Sequence, residues 1–600
     1  MAENFLRRSQ LVGSFGPGSL VDLPDRSVII SGLSDWDQRG SIEIHEARLV
    51  SKLRQALGIS NLQLFTPPAH DDAPDAPKLG VGARIFPAWF VTQERAANAG
   101  AFGRRRLIGI EGTEKNGLIY RDPDDGKRKH LTPIRFVCAC RRGHTDDVDW
   151  RTFAHRGKTE CQRTLWIEER GTSGEVTDTW IGCDCGQQRQ LYDALDLNTL
   201  ALGFCNGLGY FHSEECNEPD RLLVRSASNA YFAEIMSVIS LPDKDEGVSA
   251  RLDEIWELIK DVESLAELDL LRKLQAPVRA ALEGIPSNEA LELIRQRRAL
   301  GVDDRPVKEA EFDILACGQY VIGVDTPQST FFAETFDRTK WDPHGDPLLE
   351  PVERLVLVHR LREVVAQVGF TRFEPPAPEI DGELDMRVER QMLDTEVKWL
   401  PAIEHRGEGV FIQIRATVID AWLRRPEVAE HVNRLMRGFD LWKADRRSDR
   451  MFPGAPYILL HSLSHLIIAA IALDCGYPAS SLRERVYALP GRYGILIHTG
   501  TSDAEGTLGG LVEAGRRIRD HLRRALDMGR LCSNDPVCAD HHADDTHERR
   551  YQHGAACHGC VLIAETSCEQ RNDLLDRALV VPTVANHSVA FFSNGTPIWP

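Results

Sequence analysis

Short apolar runs separated by Gly and Pro dominate the first 135 residues: SVIISGL (27–33), ARIFPAWFV (83–91) and RLIGI (106–110). Such runs bounded by breakers predict strands and turns, and PPAHDDAPDAP (67–77) predicts an exposed loop among them. Residues 1–135 therefore read as a β-rich N-terminal module. From 136 to 240 helical periodicity is weak and cysteines are dense, which predicts a small module stapled by metal instead of by a large apolar core. Apolar positions then recur at helical spacing in LDEIWELIKDVESLAELDLLRKLQAPVRAALEGI, making 241–310 a helical insertion. A mixed α/β region follows over 311–450, with a helix expected at VERLVLVHRLREVVAQV (352–368) and a strand at GVFIQI (409–414). A last module over 451–600 opens on the apolar YILLHSLSHLIIAAIAL. The fold class is α+β multidomain: β-rich N-terminal module, zinc-stapled module, helical insertion and C-terminal α/β zinc-binding module.

The chain has 600 residues, more than one hydrophobic core normally serves. Its mean hydropathy of -0.30 and 27% charged residues describe ordinary globular material. No apolar run is expected to reach the length of a membrane span, and MAENFLRRSQ lacks the apolar stretch of a signal peptide, so a cytoplasmic protein with no membrane partner is expected. The formal charge of -18 argues against tight DNA binding by the chain alone. Two basic stretches, Arg104, Arg105 and Arg106, then Arg516, Arg517, Arg519, Arg523 and Arg524, are candidate phosphate contacts within a larger complex. The alternative for both is a solvated surface face.

Twelve of the 14 cysteines fall into two groups: Cys138, Cys140, Cys161, Cys183, Cys185, Cys205 and Cys216, then Cys532, Cys538, Cys557, Cys560 and Cys568. Thiolates gathered in short loops of a reducing compartment are soft ligands that suit zinc. Cys557-His-Gly-Cys560 is a C-x2-C knuckle and supplies half a tetrahedral site. Cys568 is expected to join it, with Cys538 or Cys532. Four thiolates would close the coordination sphere, leaving no position for an activated water. In the first group, Cys183 and Cys185 with Cys205 and Cys216 form one expected site. Cys140, His144, His155 and Cys161 form another.

Motifs that would signal catalysis are incomplete. Gly157-Lys158-Thr159 is not a phosphate loop, because Thr152 stands where its first glycine belongs. His461 and His465 lie one helical turn apart, but Ser462 replaces the glutamate of the zinc-protease motif, and the apolar flanks favour a buried, hydrogen-bonded helix face. ILIHTGTSDAEGTLGGLVEAG runs from a strand through a Gly-rich turn into a helix, a geometry that serves either anion contact or tight packing.

The C-terminal module resembles the zinc-binding domain of MrfA-type repair helicases in its LLHSLSHLI helix, the turn from Asp503 to Gly510, the cysteine knuckle, and CEQRNDLLDRA with Asn572, Leu575 and Asp576. The gap between Cys560 and Cys568 is longer here. SQLVGSFGPGSLVDLPDRSVIISGLSDW, CRRGHTDDVDW, SASNAYFAEIMSVISLP and WLPAIEHRGEGVFIQI resemble the DrmB family, accessory proteins of the DISARM phage-defence system. That resemblance implies a complex with the helicase DrmA that engages phage DNA, and a non-catalytic role beside the motor. A metal-dependent hydrolase or nuclease built on His461 and His465 is the rival expectation, and a scaffold that never meets DNA is a third.

Overall fold

The computed structural model describes residues 6–592, except 25, 69–79, 95–102, 115–118, 124, 171–173, 208–214, 243–251, 253–254, 261, 300–304, 328, 377, 447, 449, 501–508 and 542–551. Most of the expected loop at 67–77 and of the turn from Asp503 lies outside the described residues.

Two long strands, Val352–Thr371 and Trp399–Ile414, pair antiparallel and form the spine of a nine-stranded sheet. One side adds Phe331–Thr335 and Val321–Gly323; the other adds Arg492–Thr499 and Leu482–Leu489. Phe232–Ile239 and Gln391–Met392 pair with the far half of Val352–Thr371, and Gln63–Phe65 runs parallel to the start of Trp399–Ile414. Residues 352–368, expected as a helix, are thus strand. Leu355 and Leu357 join the apolar cluster of helix Ala455–Cys475, while Val356 and Val358 face Phe312, Phe411 and Leu496 on the opposite side. A strand covered on both faces loses its period-two alternation, so its apolar run imitates a helix. GVFIQI is strand, as its β-branched and aromatic content suggests.

Helix Ala455–Cys475 is apolar and, at 21 residues, long enough to cross a membrane, longer than the sequence pattern suggested. It is the core of the C-terminal half: Leu459, Leu460, Leu463 and Ile467 are almost completely buried, and so are His461, Ser462, Ser464 and His465. Gly476 ends it in the left-handed conformation, φ 71°, which glycine adopts without a Cβ penalty. The sheet covers the helix on one side, and helices Gly510–Arg516 and Ile518–Arg530 and the segment around Arg577–Val580 surround it elsewhere.

The expected boundaries at 135 and 450 do not separate structural units. Trp89–Thr92, Arg105–Gly109 and Arg128–Pro133 share a seven-stranded antiparallel sheet with Leu165–Glu169, Thr179–Cys183 and Gln188–Gln190. The central sheet draws strands from both sides of 450. Strand pairing satisfies backbone groups across any sequence distance, so changes in composition do not mark where a sheet ends. The 241–310 segment does contain helices: Leu265–Leu274, Ala276–Ala281 and Ser287–Ala299 gather around Leu268, Val278, Leu282 and Leu291, and Ser264 and Glu267 form a capping box at the first.

Candidate metal centres

At the C-terminal knuckle, helix Ile518–Arg530 delivers Cys532, the following turn brings Cys538, and the C-x2-C loop presents Cys557 and Cys560. The Sγ atoms of Cys532 and Cys557 are 3.4 Å apart, those of Cys538 and Cys560 3.8 Å, and those of Cys557 and Cys560 3.7 Å. A tetrahedral ion with Zn–S bonds of about 2.3 Å requires S···S edges of about 3.8 Å. Backbone N–H groups of Asn534, Gly559 and Cys557 donate to the sulfurs of Cys532, Cys557 and Cys560, bonds that favour thiolate. The thiol of Cys560 is held down to about 5, first by its hydrogen bond with Cys538, against the opposing effect of burial. Cys568, expected here, lies elsewhere: it is buried beside His461, His465 and Glu484.

The first cysteine group divides differently from the expected pairing. His155, Cys161, Cys183 and Cys185 meet at one end of the seven-stranded sheet, with His155 Nε2 3.2 Å from Cys185 Sγ and the sulfurs of Cys161 and Cys183 3.7 Å apart. Register explains the meeting. Leu165 pairs with Cys183, so the chain leading into Leu165 carries Cys161 alongside Cys183 and Cys185. His155 Nδ1 lies 2.8 Å from the Arg151 carbonyl and donates to it, which leaves Nε2 as the ligand atom. The backbone N–H of Gln187 holds the Cys185 thiol down to about 7.

Cys140, His144, Cys205 and Cys216 form the other cluster, with Cys140 Sγ 3.4 Å from His144 Nδ1 and 3.9 Å from Cys216 Sγ. Cys140 and His144 flank a tight turn closed by backbone bonds and containing Gly143 at φ 88°. Strand Arg221–Val224 pairs with Phe136–Ala139 and brings the chain before it, with Cys216, to that turn. Cys138 stays out of both clusters, and its thiol donates to the Asp146 carbonyl.

Both basic stretches are matched by acids. Arg104 lies over the Trp166 ring and beside Glu168, Arg105 beside Glu169, and the largely buried Arg106 beside Asp122. Arg516 pairs with Glu513, Arg517 and Arg524 with Asp474, and Arg519 and Arg523 with Asp346. The N-terminus of helix Gly510–Arg516 already holds an anion of the chain's own: the Glu408 carboxylate accepts from Gly509 N–H at 2.6 Å and Leu511 N–H at 2.7 Å. Gly515 packs against Leu357 and Val410, the tight-packing alternative for this turn.

Residues 463–561 match the MrfA Zn-binding domain, a span that includes all four knuckle cysteines, and residues 7–232 match a domain of unknown function, DUF8724. The chain is 28% identical to the DISARM protein DrmB of Bacillus paralicheniformis, over 95% of this chain and 99% of that protein. Along nearly its whole length, then, this chain is similar to a DISARM protein of the DrmB type and carries an MrfA-type zinc-binding domain.

Proposed function

We propose that the chain is the accessory subunit of a DISARM-type anti-phage system, acting in the cytoplasm in complex with the helicase DrmA. The observation that carries this reading is the end-to-end similarity to a DISARM protein DrmB, which leaves no large segment of either chain unmatched. In this reading the three thiolate-rich clusters hold zinc and fold the loops around them. Their ligand sets of four donors would saturate a tetrahedral ion, which suits structural and not hydrolytic zinc. Activity then resides in the partner, and this chain positions it on phage DNA.

Contacts to DNA are made within the complex. The acidic net charge opposes independent binding, and a phosphate reaching Arg104, Arg105, Arg516, Arg517 or Arg523 must displace a carboxylate already there. The hydrolase alternative lacks support in geometry, since His461 and His465 are sealed in the core with no exposed atoms to meet a substrate. The test is ATP hydrolysis by purified DrmA with DNA, with and without this chain. Altered DNA-stimulated turnover together with a stable complex supports the proposal. No complex and no change refutes it.

A further inference from the structure

Four donors converge in the core outside the cysteine clusters, the outermost two, His461 and Cys568, 107 residues apart in sequence. His461 and His465 come from helix Ala455–Cys475, Glu484 from strand Leu482–Leu489, and Cys568 from the segment after the knuckle. His461 Nε2 lies 2.9 Å from Glu484 Oε1 and 3.0 Å from Cys568 Sγ, and His465 Nε2 lies 3.3 Å from the same carboxylate oxygen. All four side chains are buried.

The outer partners decide how this cluster is read. His461 Nδ1 faces the Leu574 carbonyl at 3.2 Å and His465 Nδ1 the Val561 carbonyl at 2.8 Å. A carbonyl only accepts, so each Nδ1 carries a proton, and in the neutral ring that tautomer turns the lone pair of Nε2 inward. Those lone pairs face carboxylate and sulfur, which are also electron-rich. Cys568 Sγ accepts backbone N–H from Asn572 at 3.1 Å and Gln570 at 3.3 Å, the surroundings of a thiolate. Glu484 receives the N–H of Glu569 at 3.2 Å and the hydroxyl of Ser464. Each ligand is therefore oriented by a second hydrogen bond, as metal ligands are, and a cation is the partner that all four inward donors share.

We propose that His461, His465, Glu484 and Cys568 hold a fourth ion, a zinc-class divalent metal in an N2OS tetrahedral site. Two neutral imidazoles, one carboxylate and one thiolate sum with the ion to zero charge, which a fully buried centre requires. The donors need to spread by about half an ångström or less to reach edges of about 3.4 Å between nitrogen and oxygen, and by slightly more to reach about 3.6 Å to sulfur, as bonds near 2.1 Å and 2.3 Å impose. The site closes without a water position and is structural. It ties the core helix to the sheet and to the 568–577 segment, where Arg577 bonds to Asp535 beside the knuckle. The MrfA-type match of 463–561 takes in His465 and Glu484 but not His461 or Cys568, so this centre is not contained in that span.

The experiment is crystallography of the full chain, purified without chelator, with anomalous difference maps on both sides of the zinc edge. A peak among His461 Nε2, His465 Nε2, Glu484 Oε1 and Cys568 Sγ is expected, with native mass spectrometry counting one more ion than the three cysteine clusters accommodate. Peaks at the cysteine clusters and none here overturn the proposal, because the four side chains are then held by protons. Glu484→Gln with Cys568→Ser should lower the ion count by one. An unchanged count in the folded variant also overturns it, and the wild-type map decides the matter if the variant does not fold.

Discussion

Glu363 offers a perturbation whose size follows from the structure. It sits in Val352–Thr371, 4% exposed, with its carboxylate 3.2 Å from Arg483. Burial pushes its pKa up, but the charges of Arg483, His498, His405 and Arg485 outweigh burial and bring it from 4.5 to about 2. The folded state thus prefers the ionised form. Its stabilising contribution is fully present above pH 4.5 and is lost as pH falls through about 2. The displacement corresponds to about 3 kcal/mol. Burial lowers the pKa of His498 and leaves it uncharged at pH 7, so Glu363→Gln should destabilise the sheet there by up to about that much, chiefly through Arg483, and the gap between variant and wild type should narrow steadily below pH 4.5. Hydrogen exchange of the 352–371 and 399–414 peptides reads this local stability without assuming one global transition. Acid release of zinc affects both proteins alike and cancels in the comparison. A gap of equal size at pH 3 and pH 7, or no gap at pH 7, refutes the reasoning.

Other outcomes test other layers. Cys560→Ser should remove one ion, raise the zinc dissociation constant of that site by at least about 100-fold in chelator competition and release the 532–560 loops to exchange; unchanged zinc content contradicts the knuckle. Cys183→Ser should expose Cys161 and Cys185 to alkylation while Cys140, Cys205 and Cys216 stay protected, whereas the pairing suggested by spacing alone has Cys205 and Cys216 exposed. Gly515→Ala places a Cβ 2.6 Å from side-chain carbons of Leu357 and Val410 and should cost about 1–3 kcal/mol of stability in denaturant titration; a neutral variant means that the helix has room to shift.

The chemistry was legible in the sequence further than its wiring. Cysteine density pointed to zinc because thiolates have few other reasons to gather in a reducing compartment, and the C-x2-C spacing located the knuckle. The partition of ligands was hidden because it depends on strand register: Cys161 meets Cys183 through the pairing of Leu165 with Cys183, not through proximity along the chain. Cys568 misled for a related reason. It is eight residues past Cys560 in sequence, yet the intervening chain carries it inward to His461. The HSLSH pair lies on a buried helix face, as its apolar flanks suggest, but Glu484 reaches it from a neighbouring strand, and nothing in linear spacing announces that approach. The strand at 352–371 imitates a helix in sequence because burial on both faces erases its period.

The most direct test of the accessory role is affinity capture of the full chain from its native host, followed by mass spectrometry of what co-elutes. The account predicts a stoichiometric helicase of the DrmA type in the eluate, lost when Cys557 and Cys560 are both replaced by serine. A chain that elutes alone under gentle, chelator-free conditions contradicts it.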